Sequence, residues 1–329
     1  MKKAIIAGLV LLTIFIVSCK DDFNPFGEMK QRYVLNCVIR SDTSYQVLTL
    51  THSYTSADFD PYSNTADEAI KGAVIKLWEG NDKVTSFSDT TIARDPASLY
   101  KTPYTIYHAR GIQPDAGTLL ALEATLPNGK KLTASGTVPQ KPVFVKLGHG
   151  GNGDTIVPPV AKDYVQAQWG RLAPPKGTMY LPRMYIVYKV SVNGVEVRKI
   201  KLVPKEYLTS NGVEYAEYPG MSSVPWLTID MSVIERCLAE ISQGDSDKEK
   251  YKIYSIVVDV LSLDNNLSTY CNATNKNNDP YSIKPIETEY TNITGGYGVF
   301  GISYLTSTII DISAPYVRTF GYVHAYAKD

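Results

Sequence analysis

Histidine is scarce in this chain and cysteine equally so, with four of each among 329 residues. His52, His108, His149 and His324 stand far apart, without the His-x-x-x-His or His-Glu spacing that brings two ligands to one metal ion. No metal site and no cofactor are expected. A Gly-x-Ser-x-Gly nucleophile elbow is also missing. His149 falls in Gly148-His-Gly-Gly-Asn-Gly153, a run that reads as flexible loop. Carboxylates are plentiful, but a glycosidase pair is defined by separation in space, which sequence does not carry. No catalytic residue is nominated, and the chain is read as a non-enzyme. An excess of one charge is lacking too: 33 basic side chains face 33 acidic ones. Without a basic stripe to neutralise phosphates, nucleic acid is not an expected partner.

Long apolar runs are confined to one place. Lys2 and Lys3 precede fourteen uncharged residues, Ala4 to Val17, which form the n-region and h-region of an export signal. That run is too short to cross a bilayer, which takes roughly 20 residues. Ile16-Val17-Ser18-Cys19 follows, a small residue and then a lone cysteine where a cleavage site falls. It resembles the lipobox of bacterial lipoproteins, in which the cysteine is acylated and becomes the mature N-terminus. The resemblance implies residues 1–18 as signal peptide, Cys19 as the lipidated residue and 19–31 as an acylated tether. One acyl chain holds a protein only reversibly, at about 0.8 kcal/mol per buried CH₂. The several chains carried by such lipoproteins imply a lasting anchor. Lys20-Asp21-Asp22 resembles the Lys-acidic-acidic surface-export signal of Bacteroidetes lipoproteins, although charge patterning alone is satisfied by a short solvated tether.

Tyrosine outnumbers phenylalanine by 24 to 8. Together with plentiful Thr, Val and Ile, this suits strands; tyrosine's flat face and polar tip also suit sugar binding. Tyr33, Leu35, Cys37 and Ile39 share one face of a period-two segment, and Tyr45 to Thr51 and Ala73 to Leu77 repeat the pattern. Leu120 to Leu126, Asn128-Gly129 and Leu132 to Val138 form a hairpin signal, because Asn-Gly accepts positive φ at both central positions. These short strands predict a β-sandwich of immunoglobulin or transthyretin type over 32–139. After the hinge Pro139-Gln-Lys-Pro142, residues 140–329 predict a second, fibronectin-like sandwich. Its expected strands include Tyr180 to Val192, turned at Asn193-Gly194, Tyr251 to Ser262, Gly298 to Ile312 and Thr319 to Tyr326. Tyr254, Ile256, Val258 and Val260 are expected to face its core. Two short helices are inserted, one with a Ser232-Val-Ile-Glu235 capping box and Gly244 as its stop, the other capped by Asp264. The fold class is therefore all-β, with two antiparallel sandwich-like domains. Of the cysteines after Cys19, only Cys237 and Cys271 are candidates to bridge; the alternative is three buried thiols, Cys37 included.

Thr291-Asn292-Ile293-Thr294-Gly295-Gly296-Tyr297-Gly298-Val299-Phe300-Gly301, preceded by Asp279-Pro280-Tyr281-Ser282, resembles the C-terminal signature of an uncharacterised Bacteroidetes outer-membrane lipoprotein family, domain of unknown function 4249. Tyr33 to Val38, Ala73 to Ile75 and Leu126 to Lys130 resemble its opening strand, central strand and hairpin. Members are often encoded beside TonB-dependent receptors, so the resemblance implies an outer-membrane, surface-exposed protein with such a receptor as partner. It supplies no chemistry. By their own residue types, Asn292, Gly295, Gly296 and Gly298 form either a ligand-contacting loop or a tight crossover into the last strand. Thr90 and Thr155, in Asp89-Thr-Thr91 and Asp154-Thr-Ile156, resemble the O-glycosylation motif of Bacteroidetes envelope proteins. The leading expectation is an accessory binding lipoprotein in nutrient uptake. The alternatives are a surface adhesion or assembly subunit, and an envelope hydrolase whose site forms only in the fold.

Overall fold

The computed structural model describes residues 31–53, 65, 68–81, 83–98, 101–150, 153, 155–156, 163–170, 177–274 and 290–326. The signal, Cys19 and Lys20-Asp21-Asp22 lie outside these residues, as does the Asp279 to Ser282 motif. The described chain is mostly β, with short helices, and its layers are sandwich-like.

The first sandwich follows from strict alternation. Strands β1 (Tyr33–Arg40) and β2 (Tyr45–His52) pair antiparallel, and β5 (Tyr104–Arg110) extends them. Strand β4 (Lys83–Ile92) is the corner. Its second half pairs with β5, and its first half pairs with β3 (Val74–Glu79) in the opposing layer. There β6 (Leu119–Thr125) and β7 (Lys131–Thr137) complete the sheet through the expected Asn128-Gly129 hairpin. A strand that changes layers is the usual way to turn a sandwich corner. Leu35, Cys37, Ile39, Leu48 and Leu50 from one layer meet Ile75, Leu77, Leu120, Leu122 and Leu132 from the other, all essentially without solvent contact.

The second sandwich sets β12 (Val195–Val203), β11 (Met179–Val192), β16 (Tyr251–Leu263) and β17 (Tyr297–Ile312) against a small sheet of β15 (Trp226–Asp230), β10 (Tyr164–Trp169) and β8 (Phe144–His149). Trp169, Val165, Ala167 and Ile229 pack onto Met184, Ile186, Ile256, Val258 and Ile310. A two-residue strand β9 (Thr155–Ile156) runs parallel to the end of β17. The hairpin β13 (Glu206–Ser210) and β14 (Val213–Glu217) stands apart as its own two-stranded sheet.

Helix α1 (Met231–Glu240) buries Ile234, Cys237 and Leu238 in that core. Its cap differs from the expected box: Asp230 occupies the N-cap and accepts the Ser232 N–H at 2.8 Å, while Glu235 accepts the Tyr316 hydroxyl at 2.9 Å. A carboxylate two residues earlier outcompetes the serine. Helix α2 (Asn265–Thr274) is capped by Asp264, as its sequence indicates. A third helix, α3 (Ala314–Thr319), ends where the expected final strand begins, residues 320–321 turn, and that strand is reduced to β18 (Val323–His324). Pro315 presets helical φ in the first turn, and Gly321, at φ 83°, ends the segment.

Tyr254 does not face the core. The β11–β16 register passes from Val187↔Ser255 to Tyr188↔Ile253, so Tyr254 is the extra residue of a bulge and alternation reverses there. Ile253 is buried in its stead. Cys37, Cys237 and Cys271 are all free thiols. Cys37 is sealed in the first core and Cys237 in the second.

One strand belongs to both sandwiches. Tyr297 to Ser303 of β17 run parallel to β1, and from Ser303 to Asp311 the same strand pairs antiparallel with β16. Phe300 and Ile302 fill the first core, whereas Ile310 and Ile312 fill the second.

Candidate functional site

The glycine block makes the entry into β17. Asn292 donates Nδ2–H to the Phe300 carbonyl at 2.7 Å and accepts the Phe300 N–H through Oδ1 at 2.9 Å. Its amide thus acts as one more rung of the sheet. Thr294 bridges to Thr133 and brings this entry against β7. A Cβ on Gly296 would stand 2.8 Å from the Tyr33 carbonyl oxygen, and one on Gly295 would meet that of Lys131 at 2.5 Å. Gly298, at φ 106°, leaves no room either, since a Cβ would overlap the Leu35 carbonyl. All four residues therefore make close backbone contacts with β1, β7 or β17 itself.

Asp264 lies between α2, β7 and the Ile302 stretch of β17. It is buried, accepts the N–H groups of Leu267 at 2.9 Å and Ile302 at 3.1 Å, and has Gly136 of β7 against its second oxygen. Burial pushes its carboxyl up to about 6, against the opposing pull of the backbone donors of Leu267, Ile302 and Asn266. The group ties α2, β7 and β17 together. Thr90 is half-buried in β4 opposite Ile106, and Thr155 half-buried in β9 beside Asp311. His149 ends β8 and contacts Asp163 at 3.0 Å, so it belongs to the sheet and not to a loop. Among the described residues no group of three His, Cys, Asp or Glu side chains could hold a metal ion.

One outward-facing band of mixed charged, aromatic and apolar side chains lies on the second sandwich. Beyond α2, the outer face of β11, β16 and β17 carries Asp259, which pairs with Arg183 at 2.9 Å and accepts the Ser307 hydroxyl at 2.6 Å. Burial, and then the Asp259 charge, hold the Tyr185 phenol above its ordinary range. Next along the face come Tyr185, Val187 and Val257, bordered by the exposed side chains of Ile200, Leu202 and Ile309. Past these, Glu196 is clamped between Lys189 at 3.2 Å and Lys252 at 2.6 Å, beside the Tyr254–Tyr326 ring pair.

This band ends at β12, the edge strand of the large sheet, with no further strand paired to it among the described residues and α1 against its Leu202 end. The opposite edge, β7, is partly covered by the Thr133–Thr294 bridge. Strand β12 carries no period-two signal, because neither face is wholly apolar: Val195, Val197, Lys199 and Lys201 alternate with Glu196, Arg198, Ile200 and Leu202. That mixture after an Asn-Gly turn is itself the sign of an edge.

These features define a two-layered all-β protein with a sheet edge, β12, that no strand pairs among the described residues, built around a C-terminal strand entered through a glycine block. The chain belongs to the family described as a domain of unknown function (DUF4249), whose model matches residues 21–309. No curated protein matches it.

Proposed function

We propose that this chain is a lipid-anchored outer-membrane lipoprotein, exposed at the cell surface, which serves as a non-enzymatic binding subunit accessory to a TonB-dependent receptor in nutrient uptake. The observation that carries this reading is Ser18-Cys19 at the end of an export signal, followed by a charged tether. A diacylated cysteine would fix the body within a few nanometres of the membrane and raise its effective concentration beside a membrane partner. Cys19→Ala is expected to move the protein from the membrane to the soluble fraction and to abolish labelling by a fatty-acid probe. Retention of the unlabelled variant in the membrane would remove the anchor. Affinity purification of the acylated protein from outer membrane is expected to bring a β-barrel transporter with it; recovery without one would remove the receptor role.

A second reading, a surface adhesion or assembly subunit, is favoured by the open β12 edge, since an unpaired edge is a means of joining chains. Loss of cell clumping or of assembled material on blocking that edge, with nutrient uptake unchanged, would select it.

A further inference from the structure

We infer that β12 is a docking edge for an extended segment of another protein carrying carboxylate side chains, taken up as an added strand of the large sheet. This rests on reading the chain as an interaction module, and it adds where the partner sits and what its chemistry is.

The turn fixes which backbone groups are available. Asn193 and Gly194 both have positive φ, at 52° and 78°, giving a two-residue hairpin closed by the pair Val192↔Val195. In such a hairpin the closing pair exchanges both hydrogen bonds, and hydrogen-bonded pairs alternate outward from it. The β11–β12 register is unbroken from Val192↔Val195 to Met184↔Val203. The odd-numbered residues of β12 therefore bond to β11, and Glu196, Arg198, Ile200 and Leu202 turn their N–H and C=O groups away from the sheet. The Leu202 carbonyl accepts the Cys237 thiol of α1 at 3.8 Å, which agrees with that direction and leaves Glu196, Arg198 and Ile200 as the positions offered to a partner strand. Among the described residues, no strand pairs with β12 on this side.

The side chains indicate the partner. Val195 is 64% exposed and Ile200 49%, so the edge offers apolar contacts on both faces. Glu196 is engaged by Lys189 and Lys252, and Lys201 by Glu240. Arg198 and Lys199, on opposite faces, make no ion pair among the described residues. A second copy of the chain is a poor occupant. The three longest antiparallel self-pairings set Lys199 against Lys199, Arg198 against Arg198, or Lys199 against Lys201, and like charges directly opposite destabilise a ladder. The same cations favour a strand bearing Glu or Asp on both of its faces.

The test uses the full mature protein and two synthetic ten-residue peptides, one built of Glu-Glu pairs separated by Val-Thr pairs so that both faces of the strand carry carboxylates, the other with Lys in place of Glu. Hydrogen exchange is read at single amides. The acidic peptide is expected to slow exchange at Glu196, Arg198 and Ile200 more than tenfold, and the basic peptide to leave it unchanged. Ile200→Pro removes an outward donor without touching the β11 ladder and is expected to abolish the protection. Arg198→Glu with Lys199→Glu is expected to weaken the acidic peptide at least tenfold and to admit the basic one. Equal protection by both peptides, none by either, or protection that survives Ile200→Pro would overturn the inference. A transporter that still co-purifies with the Ile200→Pro protein would likewise place its contact away from β12, while leaving the accessory role intact.

Discussion

At the scale of single residues, Gly298 combines a φ of 106° with the Leu35 carbonyl packed where a side chain would begin. Close approach and positive φ could be read from the residue types at 295, 296 and 298, but what approaches is the backbone of β1 and β7, more than 130 residues away in sequence for β7. Gly298→Ala should lower stability by about 3 kcal/mol or more, because a strained φ and a carbonyl clash coincide; an unchanged urea midpoint would contradict this. Asp264 was legible as a helix cap, yet its burial depends on β7 and β17, which sequence does not place beside it. Its folded carboxyl titrates at about 6, against 3.8 for a free one. The folded state thus holds the extra proton between those values, so its contribution to stability is full below about pH 4 and is lost as pH rises through 6. The difference is on the order of 3 kcal/mol. Asp264→Asn should flatten the dependence of the urea midpoint on pH between 4 and 7, at the cost of the Asn266 bond. A retained slope would assign it to other groups.

At the scale of elements, alternation found most strands and failed where geometry interrupts it. The Tyr254 bulge reverses the inward set by one residue, and the turn at Phe320-Gly321 after α3 cuts the expected final strand to Val323 and His324. Helix α1 was found and its cap misplaced; Asp230→Ala should cost about 1 kcal/mol, measured by chemical denaturation. The hairpin β13–β14 has little core of its own. It is held to α1 by Arg236, which pairs with Glu214 at 2.8 and 2.6 Å, reaches Glu240 at 3.0 Å and lies 3.7 Å over the Tyr207 ring. Arg236→Met should speed amide exchange throughout 206–217 while leaving the global midpoint nearly unchanged, since exposed charges contribute little to global stability.

At the scale of the whole molecule, Pro139-Gln-Lys-Pro142 marks where the chain leaves the first sandwich, but the chain returns there. Return by the last long strand is invisible to any local signal, because its pattern is that of an ordinary buried strand. The two sandwiches share β17 and are therefore expected to unfold together. Trp78 reports on the first and Trp169 on the second. Their fluorescence transitions should coincide, and Phe300→Ala should lower both by about 3–5 kcal/mol. Two separate midpoints would show independent halves.

The pairing of β1 with β17 also sets an order of events. The Val299 N–H donates to Asn36 Oδ1 across 263 positions of sequence. A chain made from its N-terminus therefore holds an unfinished first sandwich, short of Phe300 and Ile302, until nearly all of it has been synthesised. Contacts of such separation form late and slowly. Under the export signal proposed above, a body that cannot close early is a body that can still be threaded through a membrane.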